Sequence, residues 1–195
     1  MQQLLEVLRE DWRTHGCAWS NPGFHAVAVH RIGRHARQQR APLRLVLTFV
    51  SQAMYVLVRN VYGIELPVNT ELGRRVKIAH QSGIVISGEA IIGDDCELRQ
   101  NVTIGAGSED RRTGRRKPTL ESDVYVGAGA VIVGGVTVGK GARIGAMALV
   151  MTDVPPGATA FAKPARIMRP TGERTDDLTQ DNEPAPTTPD VVGDP

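Results

Sequence analysis

IVISGEAIIGDDCELRQNVTI, residues 84–104, repeats every six positions, and LESDVYVGAGAVIVGGVTVGKGARIGAMALV, residues 120–150, carries the pattern on. Ile86, Ile92, Leu98 and Ile104 form one register, and Leu120, Val126, Ile132, Val138, Ile144 and Val150 form another. Leu66, Leu72, Ile78 and Ile84 form an earlier register, offset from the next by two residues. Gly93, Gly105, Gly127, Gly139 and Gly145 each follow such a residue directly. A six-residue period is neither helical nor a plain strand alternation. It marks a parallel β-helix. Each hexad makes one short strand and one corner, three hexads close a coil, and the repeated apolar residue points inward. Small side chains stand two places earlier, as at Ala90, Cys96, Ala130 and Ala142, and fill the space between larger neighbours.

The bulk properties agree. Apolar residues make up 41% and charged residues 23% of 195 positions, ordinary values for a soluble globular chain. Aromatic residues are only 4%, which fits a core of Val, Ile and Ala. The net charge is +2, unevenly spread: residues 171–195 hold seven acids against Arg174, which leaves the body strongly basic. Such a body suits an anionic ligand or is simply a solvated surface. Cys17 and Cys96 have neither disulfide nor metal spacing, so a reducing, cytoplasmic setting is expected. The start MQQLLEVLREDW has acids where a secretion signal has bases. The apolar stretch from Leu43 to Val58 is interrupted by Arg44, Ser51 and Gln52 and reads as too short and too polar to cross a bilayer. Neither a membrane nor a nucleic acid is expected as a partner.

Three parts follow. Residues 1–63 read as a short α-helical segment. Asn21 and Pro22 form a helix start, since Asn caps and Pro suits the first turn. Pro42 begins another helix, with Leu43, Val46, Leu47, Val50, Met54 and Leu57 along one stripe, and Gly63 ends it. Residues 64–168 form the β-helix, making the fold mainly β. Its period fails once, in the polar, basic loop AGSEDRRTGRRKPT, residues 106–119. A loop thrown out of a regular solenoid tends to sit at the functional face. Residues 169–195 read as a disordered, acidic, Pro-rich tail.

Four of the five histidines lie in the helical part; His80 lies within the β-helix, two residues after inward-facing Ile78. Imidazole is the side chain best suited to take a hydroxyl proton near neutral pH. On spacing alone His80 reads equally as a catalytic or as a structural corner residue. A base of this kind needs a carboxylate to orient it. Glu65, nearly one coil earlier, is a candidate, though taken by itself it reads better as an ordinary surface acid. Cys96 occupies an inward small-residue position, which makes it a buried, inert thiol rather than a nucleophile. No role falls to Cys17.

Several stretches together resemble the serine acetyltransferases of the hexapeptide-repeat acyltransferase superfamily. They are GFHAVAVHRIG (23–33), KIAHQSGIVIS (77–87), QNVTIGA (100–106), residues 117–146, and DVPPGATAFAKPARI (153–167). The resemblance implies a left-handed β-helix, a homotrimer with acetyl-CoA bound between adjacent subunits, and transfer of acetyl to L-serine for cysteine biosynthesis. It implies no metal and no cofactor beyond acetyl-CoA as co-substrate. Carried over by position, His80 is the general base and Glu65 its carboxylate partner. Arg116 and Lys117 bind the acceptor, and Gly105, Ala106, Ala128, Arg143 and Ala146 line the CoA groove. Lys117 stands where the family has a second histidine, and Ala79 where it has an aspartate. These departures leave room for another acceptor hydroxyl, such as a sugar's, or for a catalytically silent scaffold.

Overall fold

In the computed structural model the hexads wind into a left-handed parallel β-helix of three sheets. The structure describes residues 2–107 and 114–167. Three helices come first: α1 (Gln2–Thr14), α2 (Pro22–Arg37) and α3 (Leu43–Tyr62). The strands are β1 (Ile64–Glu65), β2 (Glu71–Leu72), β3 (Lys77–Ile78), β4 (Ile84–Ile86), β5 (Ile91–Ile92), β6 (Glu97–Leu98) and β7 (Thr103–Gly105). After the loop come β8 (Thr119–Leu120), β9 (Tyr125–Val126), β10 (Val131–Val133), β11 (Thr137–Val138), β12 (Arg143–Ile144), β13 (Leu149–Val150) and β14 (Thr159–Ala160).

Sheet A has the order β1-β4-β7-β10-β13, sheet B β11-β8-β5-β2, and sheet C β14-β12-β9-β6-β3. All pairs are parallel, and like stacks on like. Ile78 faces Leu98, Leu98 faces Val126, and Val126 faces Ile144. These inward residues are all but fully buried. Each burial contributes roughly 1.5–3 kcal/mol relative to exposure. The tight corners require left-handed backbone, and the chain supplies it at Asp95, Asn101 and Asp123. Short polar side chains tolerate that conformation best among non-glycine residues.

The two-residue offset in the sequence has a structural cause. Ile78 pairs with Leu98 and Ile86 with Ile104, so the step from Ile78 to Ile86 is two residues longer than the step above it. The extra residues fall in the corner Ala79–Gly83. The second break lies between β7 and β8, where the basic loop leaves the coil. Residues 108–113 of that loop, with Arg111 and Arg112, lie outside the described residues.

The helices form largely where the sequence signals them. Asn21 Oδ1 accepts from the Gly23 and Phe24 N–H groups at 2.9 and 3.3 Å, and Pro22 opens α2. Gly63 ends α3 in left-handed conformation, its N–H donating to Arg59 O. The α3 stripe of Leu43, Val46, Val50, Met54 and Leu57, however, is exposed. Ser51 and Val58 are the buried residues of this helix, which packs on α2 and β1. The reading of this segment as too short and too polar for a bilayer is also corrected. Leu43–Tyr62 is continuous and apolar enough, by length and composition alone, to cross one.

Helices α1 and α2 cover the open first coil through apolar packing, with Ala26, Val27 and Val29 in one core with Val76 and Ile78, and through polar contacts. Arg31 donates from Nη1 to Leu72 O at 2.8 Å and from Nη2 to Gly73 O, while its Nε pairs with fully buried Asp11 at 3.0 Å. His30 Nε2 donates to Thr70 O at 3.0 Å. Gly23 meets the first coil so closely that a Cβ there would lie 2.1 Å from Ile78 O. Met1–Ala162 forms one compact unit. Of the unit that begins at Lys163, the described residues 163–167 contain no helix or strand. The tail expected to be disordered lies outside the described residues.

Candidate active site

A triangular coil has three edges, and the candidate residues fall on two of them. His80 occupies the extended corner between β3 of sheet C and β4 of sheet A and is exposed. The register continues from Ile78–Leu98 through the Ala79 N–H, which donates to Leu98 O, so His80 stands beside Gln100. By the same rule Gln100 stands beside Ala128, and Ala128 beside Ala146. One column thus runs along this edge: an imidazole, an amide and two methyl groups. Past Gln100, the two alanines leave little side-chain bulk along the edge.

The corner is held firmly. Ser82 N–H donates to Tyr62 O and Asn101 N–H donates to Ser82 O, both at 2.9 Å. Gly83 has a φ of 66°, and a Cβ there would lie 2.2 Å from Asn101 Oδ1. His80 itself makes no hydrogen bond to another described residue. Its ring is therefore free for a ligand.

Beside this edge, the outer face of sheet C carries Lys77, Glu97, Tyr125 and Arg143 in one row. Lys77 and Arg99 both pair with Glu97, at 3.3 and 3.4 Å. The Arg143 guanidinium lies over the Tyr125 ring, 4.8 Å from its centroid. Three cations against one anion give the face a positive potential.

The other group lies across sheet A. Gly105 ends β7 and Ala106 follows it, at the edge between sheets A and B. Arg116 is exposed there, and its Nη2 donates to Glu89 Oε1 at 2.6 Å. Lys117 is exposed. Arg115 is engaged with Thr137 Oγ1 and Asp153. Glu65 lies on the outer face of sheet A, beside Val85, and is not hydrogen-bonded to His80. Its charge, after burial, helps raise the pKa of Tyr55 on α3. A single chain therefore brings His80, Ala128, Ala146 and Arg143 together, and keeps Gly105, Ala106, Arg116 and Lys117 apart from them.

Two residues escaped the sequence reading. Gln100 has a buried Oε1 without a partner and adjoins His80 only through the strand register, which no local motif reveals. Glu89 meets Arg116 across the loop. Cys96 is an inert thiol: burial pushes its pKa up to about 11, and Sγ donates to Glu121 O at 3.1 Å. A large apolar cavity of about 690 Å³ lies instead among the helices, lined by Trp12, Trp19, Phe24, Met54 and Tyr62 among others, and does not include His80.

The hexads define a hexapeptide-repeat protein, and residues 117–151 match the family of bacterial transferase hexapeptides (six repeats). The serine acetyltransferase of Synechococcus elongatus is 37% identical over 157 residues, 80% of this chain and 61% of that protein. That of Helicobacter pylori J99 is 38% identical over 147 residues, 75% of this chain and 81% of that one. Soybean serine acetyltransferase complexed with serine superimposes with a TM-score of 0.69 at 26% identity, covering 86% of this chain and 70% of that one. The chain belongs to the serine acetyltransferase family. It spans about three fifths of the cyanobacterial relative's length.

Proposed function

We propose that this chain is an acetyl-CoA-dependent serine O-acetyltransferase that works as a homotrimer in the cytoplasm. The observation that carries the reading is an exposed, unpartnered imidazole on a corner lengthened by two residues, beside a column of alanines. His80 takes the proton from the serine hydroxyl as its oxygen attacks the thioester carbonyl carbon. The tetrahedral intermediate collapses with loss of the CoA thiolate, to which the imidazolium returns the proton. Donors aimed at the oxyanion and the pairing of both substrates supply the rest of the acceleration. Glu65 is the orienting carboxylate. Contacts of this kind often form only with substrate bound. The cationic face of Lys77, Arg99 and Arg143 suits the phosphates of CoA, and the alanine track suits its pantetheine arm.

Assembly follows from the placement of the two edges. The outer face of sheet A is apolar at its β13 end, with Leu149 64% exposed and Met151, just past the strand, 66% exposed. Such a patch on a soluble protein marks an interface. Three copies packed around an axis through these faces bring the His80 edge of one against the Gly105–Lys117 edge of the next. Arg116 then meets the acceptor carboxylate. Free Cys17 and buried, unpaired Cys96 suit a reducing cytoplasm.

A second reading keeps the chemistry and changes the acceptor. Ala79 and Lys117 present neither an acidic group for an ammonium nor a second imidazole, which favours a sugar or another biosynthetic hydroxyl. Release of CoA thiol from acetyl-CoA, measured with L-serine and a panel of sugars, tests both. Serine-dependent release is expected. Release with sugars alone selects the second reading, and no release with any acceptor overturns the enzymatic one.

A further inference from the structure

We infer that His15, in the helical segment, is a positioning residue for His80; the inference rests on the reading of His80 as the base. β3 is the terminal strand of sheet C. On one side Lys77 and Ala79 donate their N–H groups to Cys96 O and Leu98 O of the next coil. The Ile78 N–H points the opposite way, off the open end of the solenoid, where a buried amide needs a partner. That partner is a side chain: Ile78 N–H donates to His15 Nε2 at 3.2 Å, and the bond is buried.

The tautomer follows from the partners. His15 Nδ1 lies 2.6 Å from Asp11 O, and a carbonyl only accepts, so Nδ1 carries the proton. Nε2 is then the bare acceptor that Ile78 requires. The neutral ring is a strut between the last turn of α1 and β3. Gly23 of α2 bears on the carbonyl of the same residue, in the peptide that leads into Ala79. On the far side of the corner, Ser82 N–H donates to Tyr62 O, and the Tyr62 hydroxyl meets His25 Nδ1 at 3.2 Å. The corner Ala79–Gly83 is thus pinned at both feet by the helical segment, and His15 is the pin two residues before His80. Without the acceptor, a buried N–H is left unpaired and the strand leading into the corner loosens.

The pair His15→Gln and His15→Asn in the full chain isolates this role. Both side chains are polar, but Gln reaches an acceptor oxygen to the place of Nε2 and Asn does not. The expected result is kcat near the parent value for H15Q and lower by about tenfold or more for H15N, since small misplacements of a reacting group cost up to roughly a hundredfold. KM for acetyl-CoA should change less than kcat, because of the cationic face only Lys77 stands on β3, while Arg99 and Arg143 lie in coils the bond does not touch. The His80 ring resonances should shift in H15N and return in H15Q. Equal kcat in the two variants, with unmoved His80 resonances, overturns the inference. His80→Ala run alongside separates the two layers: an active H80A removes the base reading and this inference with it, whereas an inactive H80A with H15N equal to H15Q removes the inference alone.

Discussion

The β-helix and the helical segment solve the problem of burial in opposite ways. In the solenoid each coil covers the next, so Ile132 is 0% exposed without help from outside. In α3 the same kind of residue faces outward, and Phe49 is 77% exposed. The helical segment joins the first coil in two ways: Ala26, Val27, Val29 and Val58 share one apolar core with Val76 and Ile78, and polar contacts run from Arg31 to Leu72 and Gly73, His30 to Thr70 and His15 to Ile78. An end coil has unpaired backbone groups, and side-chain donors and acceptors satisfy them. The comparison teaches that the repeat provides a rigid frame, whereas the cap provides orientation and leaves an apolar face exposed.

The sharpest test of the frame as a bearer of chemistry is His80→Ala. It should lower kcat by about 10²–10⁴ with the thermal transition unchanged, because the side chain is exposed and unpartnered. Thiol release and a melting curve on the same sample check both halves. Parent-like turnover would move the chemistry off this edge.

Next in size is Ile132→Ala, in the middle of the solenoid. It should cost about 2–5 kcal/mol in denaturant unfolding, since the tightly stacked coils cannot collapse into the cavity. A cost below about 1 kcal/mol would mean that the coils relax far more readily than their like-on-like register implies.

The cap gives a pH signature that the frame lacks. Burial holds His30 neutral and depresses its pKa to about 4, with Arg31, Arg34 and Arg37 adding to the shift. His15 is lowered as well, chiefly by burial, with Lys77 pulling the same way and Asp11 opposing. In the unfolded chain these rings take up protons near pH 6.5. Stability is therefore complete above that pH and is lost as pH falls from about 6.5 toward 4. For His30 the full loss is on the order of 3 kcal/mol. His30→Gln should flatten the pH dependence of the melting temperature in this window, and an unchanged slope would place its origin elsewhere.

These two regions also differ in how much of them the sequence discloses. The solenoid was legible because its period is set by local geometry: Ile92, Leu98, Ile104, Ile132 and Ile144 all turn inward as the hexads require. Even the two-residue offset was visible before its meaning, which is a longer corner under His80. The helix start at Asn21 and the stop at Gly63 were legible too, since capping is a matter of single residues. What stayed hidden were contacts across long sequence separation. The His15–Ile78 bond spans 63 residues, and the Gln100 column depends on pairing between coils. The outward face of the α3 stripe was hidden for another reason: an apolar stripe reports an amphipathic helix, and not which way its apolar side faces. The division of the candidate residues over two edges has the same origin, because a motif has no address in three dimensions.

The smallest expected effect on a single chain is the most telling about assembly. Phe49→Ser changes a residue that touches little of its own subunit, so the stability of the isolated fold should move by less than about 0.5 kcal/mol. In a trimer held by sheet A and α3, the same change places a hydroxyl in an apolar contact and should shift the mass measured by light scattering toward the monomer at low concentration. Activity should then fall with dilution more steeply than in the parent, since the proposed site pairs one subunit's His80 edge with its neighbour's loop edge. An unchanged mass, with unchanged dilution behaviour, would release α3 from the subunit interface and leave its exposed face to a different occupant. It would leave the sheet A contact standing, which Leu149→Ser tests on its own by the same two measurements.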